Sequence, residues 1–461
     1  MNIERFEVPG LAHYSYIVSS GGQAAIIDPI RDTGRYTRYL DQRGLMLASI
    51  LETHIHADFA SGSKALAEET DAELVVSAYD EGEHYRYGMP HRSLHSGESV
   101  VLGSVRLEAL HTPGHTPEHL SFILFDMERS HTEPVALFSG DFLFVGSLGR
   151  PDLLGEDAKN ALAKQLYDSL HSVLSRLPDS VQVYPGHGAG SLCGAGMSDR
   201  AESTLGYERR TNRLFQLDES AFMGRILGTV PPMPSYYPRM KALNACGAGS
   251  VQPLPGCNRI SPTELQALMQ QQNCIVLDLR RPEAFGGAHI RGAISIGAGQ
   301  NLSLWAGWLL EADSRIVLAN DKGDDEDARR SLVRVGLDNI VGFLDGGMPA
   351  WIGAGFDFER TTQVSVGEVR QRGDSSFVLD VRSDAEWETK HIPGAEHVML
   401  GNLVGGMSRL PNNKPIIAVC GSGYRSSIAA SVLTRAGFED VCSMNGGMTA
   451  WTSSNCVAPS V

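Results

Sequence analysis

The sequence predicts an α/β protein of three layered domains, the last two being copies of one another. Three observations carry that prediction. Short strand-like runs alternate with helically spaced stretches through the first half of the chain. Four pieces bearing histidine or aspartate each lie at or just after one of those runs. The second half of the chain repeats itself at a nearly constant offset.

Residues 1–245 are expected to form the first domain. Tyr14–Val18 and Ala24–Asp28 read as short strands around the Gly21-Gly22 turn. The apolar run Leu47–Leu51 ends in Thr53-His54-Ile55-His56-Ala57-Asp58-Phe59, which places several metal-binding side chains just after a strand. Ser61–Asp71, rich in Ala, Leu, Lys and Glu, reads as a helix, and Glu73–Ser77 returns to strand. Arg106–Leu110 delivers the piece His111-Thr112-Pro113-Gly114-His115. Ser121–Phe125 and Val135–Phe138 are strand-like, the second leading to Ser139-Gly140-Asp141. From Asp157 to Leu177, the apolar residues Leu162, Leu166, Leu170, Val173, Leu174 and Leu177 keep helical spacing, as a packing helix does. Tyr184-Pro185-Gly186-His187-Gly188 is the fourth piece.

Neutral imidazole suits zinc, iron and copper, and an added carboxylate shifts the choice toward zinc or iron. A lone histidine means little, whereas four such pieces in this order point to a metal site. They resemble the metallo-β-lactamase superfamily, in which HxHxDH, a later His, a bridging Asp and a final His build two adjacent metal sites. The resemblance implies an αββα sandwich. One departure matters: Phe59 stands where the family has the second His of the DH pair, and it cannot ligate. The chain is therefore more similar to the persulfide dioxygenase branch than to glyoxalase II. That branch implies a single Fe(II) held by His54, His115 and Asp141, with zinc the alternative occupant. His56, Asp58 and His187 would then orient those ligands by hydrogen bonding. In the same branch an Arg lies near the pocket, so Arg150 is expected either to hold an anionic substrate or to pair with Asp152. Cys193, in the Gly190–Gly194 loop, either meets the persulfide or is a buried thiol. Tyr237–Asn244 resembles the end of the family's domain.

At 461 residues the chain has room for two to four domains of roughly 100–200 residues each. A net charge of −15 argues against nucleic acid or an anionic membrane as partner. No apolar run reaches the length of a transmembrane helix, and Met1–Phe6 lacks the order of a signal peptide. Seven cysteines without disulfide-like spacing fit a reducing compartment, and the cytoplasm is the simplest location. Whether the chain forms a homo-oligomer is not legible.

Residues 246–258, rich in Gly and Pro and flanked by Cys246 and Cys257, read as a linker. Then the repeat begins. Ile275–Arg280 recurs as Phe377–Arg382, and His289–Ala293 as His391–Ala395, each 102 residues on. Leu344–Trp351 recurs as Met444–Trp451, 100 residues on. The two copies, 259–357 and 358–461, each resemble a rhodanese domain, whose marks include D-[VL]-R, H-I-x-G-A and a late G-G-x-x-x-W.

The copies differ where the chemistry would lie. In the second, Ile416–Val419 leads into Cys420-Gly421-Ser422-Gly423-Tyr424-Arg425 and then a helical stretch. Backbone N–H groups of such a loop point inward and stabilise an anion. The helix N-terminus and Arg425 act in the same direction, so Cys420 reads as a nucleophile near neutral pH. Four residues separate Cys420 from Arg425, against five in Cys-dependent phosphatases, a smaller ring that suits a sulfur atom. The first copy has Asn320-Asp321-Lys322-Gly323-Asp324-Asp325 there, and should be silent. Cys274, Cys442 and Cys456 lie outside the loop.

These resemblances imply one chain joining two steps of sulfide disposal. The first domain would convert a low-molecular-weight thiol persulfide, O2 and water to thiol and sulfite. Cys420 would carry persulfide sulfur to or from sulfite and thiosulfate. The rivals are a glyoxalase II-like zinc thioester hydrolase with an attached sulfurtransferase, a sulfurtransferase with a relic metal domain, and a non-catalytic sulfur carrier.

Overall fold

The structure, a computed structural model, describes residues 1–454; Cys456 lies outside the described residues. The chain divides into two compact units, one of residues 1–252 with 333–336, the other of the remainder.

The first unit contains two six-stranded sheets. In the first, Asn2–Val8, His13–Ser20, Gln23–Ile27, Met46–Leu51, Glu73–Ser77 and Arg92–Leu94 lie side by side in chain order. The second runs Ser203–Thr204, Gln182–Pro185, Pro134–Gly140, Leu120–Asp126, Val105–His111 and Ser99–Leu102. Their inner faces share one core, with Tyr16, Val18, Ile27, Leu51 and Val75 against Leu107, Phe122, Leu124 and Phe138. The period-2 alternation of strands then sends Ile123, Phe125 and Leu137 to the opposite face. There they meet Leu162, Leu166, Leu170 and Leu174 together with Phe222 and Ile226. The result is the expected αββα sandwich. The expected Asp157–Leu177 helix is present as Glu156–Asp168, continuing through a wide turn at Ser169–Val173 and a tight one at Leu174–Arg176.

This topology positions the chemistry. Gln23–Ile27, Met46–Leu51 and Glu73–Ser77 are mutually parallel, as are Pro134–Gly140 and Gln182–Pro185. The carboxyl ends of these strands deliver Asp28, His54, Asp141 and His187, and His115 follows Val105–His111.

The second unit shows the repeat as topology. Two five-stranded parallel sheets have the same strand order. One is Arg259–Ile260, Ile340–Leu344, Arg315–Ala319, Cys274–Asp278, Ile294–Ser295. The other is Thr362–Val364, Val441–Met444, Ile416–Val419, Phe377–Asp380, Glu396–His397. The D-x-R signature closes on itself in each copy. Arg280 makes a paired contact with Asp278 and donates to Ala288 O at 2.7 Å, and Arg382 does the same with Asp380 and Lys390 O. The late glycine pair also has a physical reason. Gly347 and Gly447 have φ of 57° and 52°, and a Cβ there would come within 2.4 Å of Asn320 O and 2.3 Å of Cys420 O.

Candidate functional site

His54, His115 and Asp141 come together in the first unit, each at most 1% exposed. One donor atom of each lies within 4.8 Å of the others. Asp141 Oδ2 is 3.5 Å from His115 Nε2 and 3.9 Å from His54 Nε2. All three atoms have no hydrogen-bond partner among the described residues. A buried polar atom without a partner costs about 1–3 kcal/mol, so three that face one another mark the place of a cation. The donor set, two imidazoles and a carboxylate, fits iron or zinc.

The surrounding bonds fix each ligand with its lone pair inward. Thr53 Oγ1 donates to Asp28 Oδ2 at 2.9 Å, so it accepts from His54 Nδ1 at 2.9 Å. Arg150 O accepts from His115 Nδ1 at 2.9 Å. Both Nε2 atoms are therefore free of protons and aimed at the site. Burial pushes His115 down to about 4, against the pull of Asp141, and pushes His54 well below the usual imidazole range. His187 is the opposite case. Burial alone would lower it, but Asp141 and Asp58 outweigh burial and hold it up at about 10. Its Nδ1 donates to Asp141 Oδ1 at 2.7 Å and its Nε2 to Asp58 Oδ2 at 2.8 Å. In the metal-free protein it is an imidazolium between two carboxylates.

The structure corrects the expectation for His56 and places Arg150 and Cys193. His56 does not hydrogen-bond any of the three ligands; its Nε2 lies 3.2 Å from both Asp28 Oδ1 and Glu52 Oε2. Burial opposes its proton, yet those two carboxylates raise it well above the usual range. The orienting role belongs to Thr53 and Arg150 O instead. Arg150 takes the ion-pair alternative: its guanidinium forms two 2.7 Å bonds to Asp152 and a 3.1 Å bond to Leu192 O. Those donors are committed to the carboxylate and the carbonyl. Cys193 is buried, and burial pushes its thiol well up. Its Sγ nevertheless groups with Asp58 and His187 within 4.8 Å.

Several residues at the site escaped the sequence reading. His119 Nε2 accepts from Asp141 N at 3.1 Å, and the Thr112 hydroxyl bonds its other nitrogen. The continuation Thr116-Pro117-Glu118-His119 after His115 was the available signal. Glu118 accepts from Ile55 N and Lys241 donates to Ile55 O, so the His54–His56 turn is tied on both sides. Asn244 binds the carbonyls of His56 and Phe59, and Tyr236 that of Asp58. Phe59 fills the space between His13 and His56, with ring centroids 4.1 and 4.4 Å apart. His111 lies apart, stacked on Tyr79.

In the second unit, Cys420 is 1% exposed and its Sγ accepts from Gly423 N at 3.1 Å. Ser426 Oγ lies at 3.6 Å. Arg425 makes a bidentate pair with Glu386 at 2.6 and 2.8 Å, and that bond holds the Glu386 carboxyl down at about 2. The charge of Arg425 is therefore shared with a carboxylate. In the first copy Asn320 Oδ1 accepts from Lys322 N and Gly323 N at 3.1 and 2.8 Å. An amide oxygen thus fills the loop where sulfur sits in its twin. Among the described residues no helix is long and apolar enough to cross a membrane.

Comparison with known proteins follows the same division. Residues 8–187 match the metallo-beta-lactamase superfamily, and residues 261–354 and 365–454 each match the rhodanese-like domain. The hydroxyacylglutathione hydrolase of Polaromonas sp. (strain JS666 / ATCC BAA-500) is 34% identical over 178 residues, 38% of this chain and 62% of its own length. The mitochondrial persulfide dioxygenase ETHE1 of Mus musculus is 30% identical over 185 residues, 39% of this chain and 65% of its own. The chain spans less than two thirds of either relative. A crystal structure of a metallo-beta-lactamase from Staphylococcus aureus subsp. aureus COL is 36% identical with a TM-score of 0.68. The match covers 75% of this chain and 98% of that one.

Proposed function

Because the chain belongs to the metallo-beta-lactamase superfamily and carries two rhodanese-like domains after that domain in sequence, we propose that it is an iron-dependent persulfide dioxygenase fused to a sulfurtransferase. Its first domain would convert a low-molecular-weight thiol persulfide, O2 and water to the thiol and sulfite. The observation that carries this reading is the mononuclear donor set: His54, His115 and Asp141 converge with unpaired atoms, while His56 is turned onto Asp28 and Glu52. Phe59 supports it by standing where a second site would want a ligand. Similarity to the mouse persulfide dioxygenase supports the substrate class.

Bound by those three side chains, ferrous iron would supply electrons for O2 and open positions for O2 and the terminal persulfide sulfur. The chain's own residues prepare that face. Thr53 and Arg150 O hold the two imidazoles in one tautomer, and the His187 imidazolium fixes the Asp141 carboxylate through Oδ1, leaving Oδ2 inward. Asp58 anchors His187 from the other side.

In the last domain the Cys420 thiolate attacks the outer sulfur of a persulfide or thiosulfate. The old S–S bond breaks, and the carrier thiolate or sulfite leaves with the electron pair. Transfer from the Cys420 persulfide to sulfite forms thiosulfate and restores the thiolate. Gly423 N–H stabilises the sulfur anion, while Arg425 and Glu386 shape the rim.

A second reading is a zinc thioester hydrolase like the Polaromonas relative. The observation favouring it is the second donor group, Asp58, His187 and Cys193, beside the first. It requires His187 to leave its bonds to Asp141 and Asp58. The two readings separate by product. The iron-loaded protein given glutathione persulfide should yield sulfite, and the zinc-loaded protein given a lactoyl thioester should leave it intact. Thioester hydrolysis without sulfite formation would overturn the proposal.

A further inference from the structure

The first copy has no cysteine in its loop, where Asn320 stands, yet it reaches the loop of the copy that has one. The helix Tyr424–Arg435 begins at the Cys420 loop, and one stripe of it faces the first copy. Tyr424 Oη donates to Gly297 O at 3.0 Å. Ser427 Oγ lies 3.0 Å from Ser295 Oγ, and Ser431 Oγ accepts from Ser295 N at 3.0 Å. Arg435 donates to Gly292 O at 2.7 Å. Positions 424, 427, 431 and 435 fall on one helical face, so a single stripe is docked on the segment Gly292–Gly297.

That segment is itself held firmly. Ile294–Ser295 pairs with Cys274–Asp278, Ala298 N donates to Leu279 O, and the Asp278–Arg280 pair closes beside it. Gly297 packs closely in that segment, since a Cβ there would lie 3.1 Å from Arg280 O. On the catalytic side, Tyr424 stands between Gly423, whose N–H meets Cys420 Sγ, and Arg425, which pairs with Glu386. Gly423 has φ of +114°, a conformation that glycine adopts freely and that turns its N–H toward the Cys420 sulfur.

We propose that the first copy, which lacks the loop cysteine, is a working half of the sulfur-transfer site: through Ser295 and its contact with the Tyr424 hydroxyl it fixes the helix start that holds the Cys420 sulfur. Tyr424 is then a positioning residue, acting through Gly423 and Arg425. This rests on reading Cys420 as the sulfur-carrying thiol.

The test uses the full-length protein with Tyr424→Phe, which keeps the ring, and separately Ser295→Ala in the other copy. Three quantities are read: kcat and KM for thiosulfate-to-cyanide transfer, the thermal midpoint, and the rate at which iodoacetamide alkylates Cys420 at fixed neutral pH, resolved by peptide mass spectrometry. Loss of one hydrogen bond predicts a fall of about fivefold in both kcat and alkylation rate for Tyr424→Phe, with KM within about twofold. Ser295→Ala should move both the same way by less. Unchanged or faster alkylation overturns the proposal, whatever the thermal midpoint does, because a merely adhesive contact would lower the midpoint alone. Absence of any sulfur transfer by the unaltered protein would instead sink the reading of Cys420, and the alkylation comparison tells the two failures apart.

Discussion

The metal cluster and the Cys420 loop are both buried, and they meet their polar demands in opposite ways. In the cluster, His54 Nε2, His115 Nε2 and Asp141 Oδ2 are buried and have no hydrogen-bond partner among the described residues. In the loop, Cys420 Sγ already has Gly423 N–H, and Arg425 already has Glu386. The first arrangement leaves its donor atoms facing one another; the second meets its polar demands from within the loop. The first copy extends the lesson. There Asn320 Oδ1 supplies the acceptor that closes the loop, in the place its twin gives to sulfur. What distinguishes a site from a well-made turn is which atom sits at its centre.

The contrast can be broken most sharply at Cys420. Cys420→Ser should reduce cyanide-dependent thiocyanate formation by about 10³-fold or more while sulfite production from persulfide persists. His115→Ala should do the reverse. It removes one of three ligands and should cut iron content and O2 uptake by at least about 10²-fold, with sulfur transfer unchanged. A smaller effect comes from Asn320→Cys. The first copy has Asp325 at the position of Arg425, so the new thiol should add less than about a tenth to total sulfurtransferase activity when Cys420 is serine.

A further effect is on stability. His187 is held protonated to about 10, above the ordinary imidazole value near 6.5. A raised folded-state value stabilises fully below the unfolded one and is lost as pH rises through the folded one. The metal-free protein should therefore lose stability between about pH 6.5 and 10, by at most about 1.4 kcal/mol per pH unit from this group. Urea unfolding of chelator-treated protein across that window checks it, and His187→Asn should flatten the slope.

How much of this was legible in the sequence depended on distance along the chain. The ligand pieces were visible because each sits at the end of its own strand, and the repeat because it is written twice. The partners that orient the ligands were not. Asp28 reaches Thr53 across 25 residues, Asn244 reaches His56 and Phe59 across more than 180, and Arg150 offers a backbone oxygen that no side-chain pattern encodes. His56 misled for the same reason. Its HxH spacing suggests a ligand or a ligand's partner, and only the packing of Asp28 and Glu52 around it turns it away. The Cys420 loop was legible as strand, glycine-rich turn and helix, whereas its docking on the first copy was hidden in unremarkable serines and a tyrosine.

The central claim, one chain with two separable sulfur chemistries, is tested most directly by O2 consumption. The anaerobically Fe(II)-loaded protein is given glutathione persulfide, and sulfite and thiosulfate are quantified beside O2. The account predicts uptake that vanishes in His115→Ala and persists, with sulfite as product, in Cys420→Ser. No uptake with any thiol persulfide, or uptake lost equally in both variants, would contradict it.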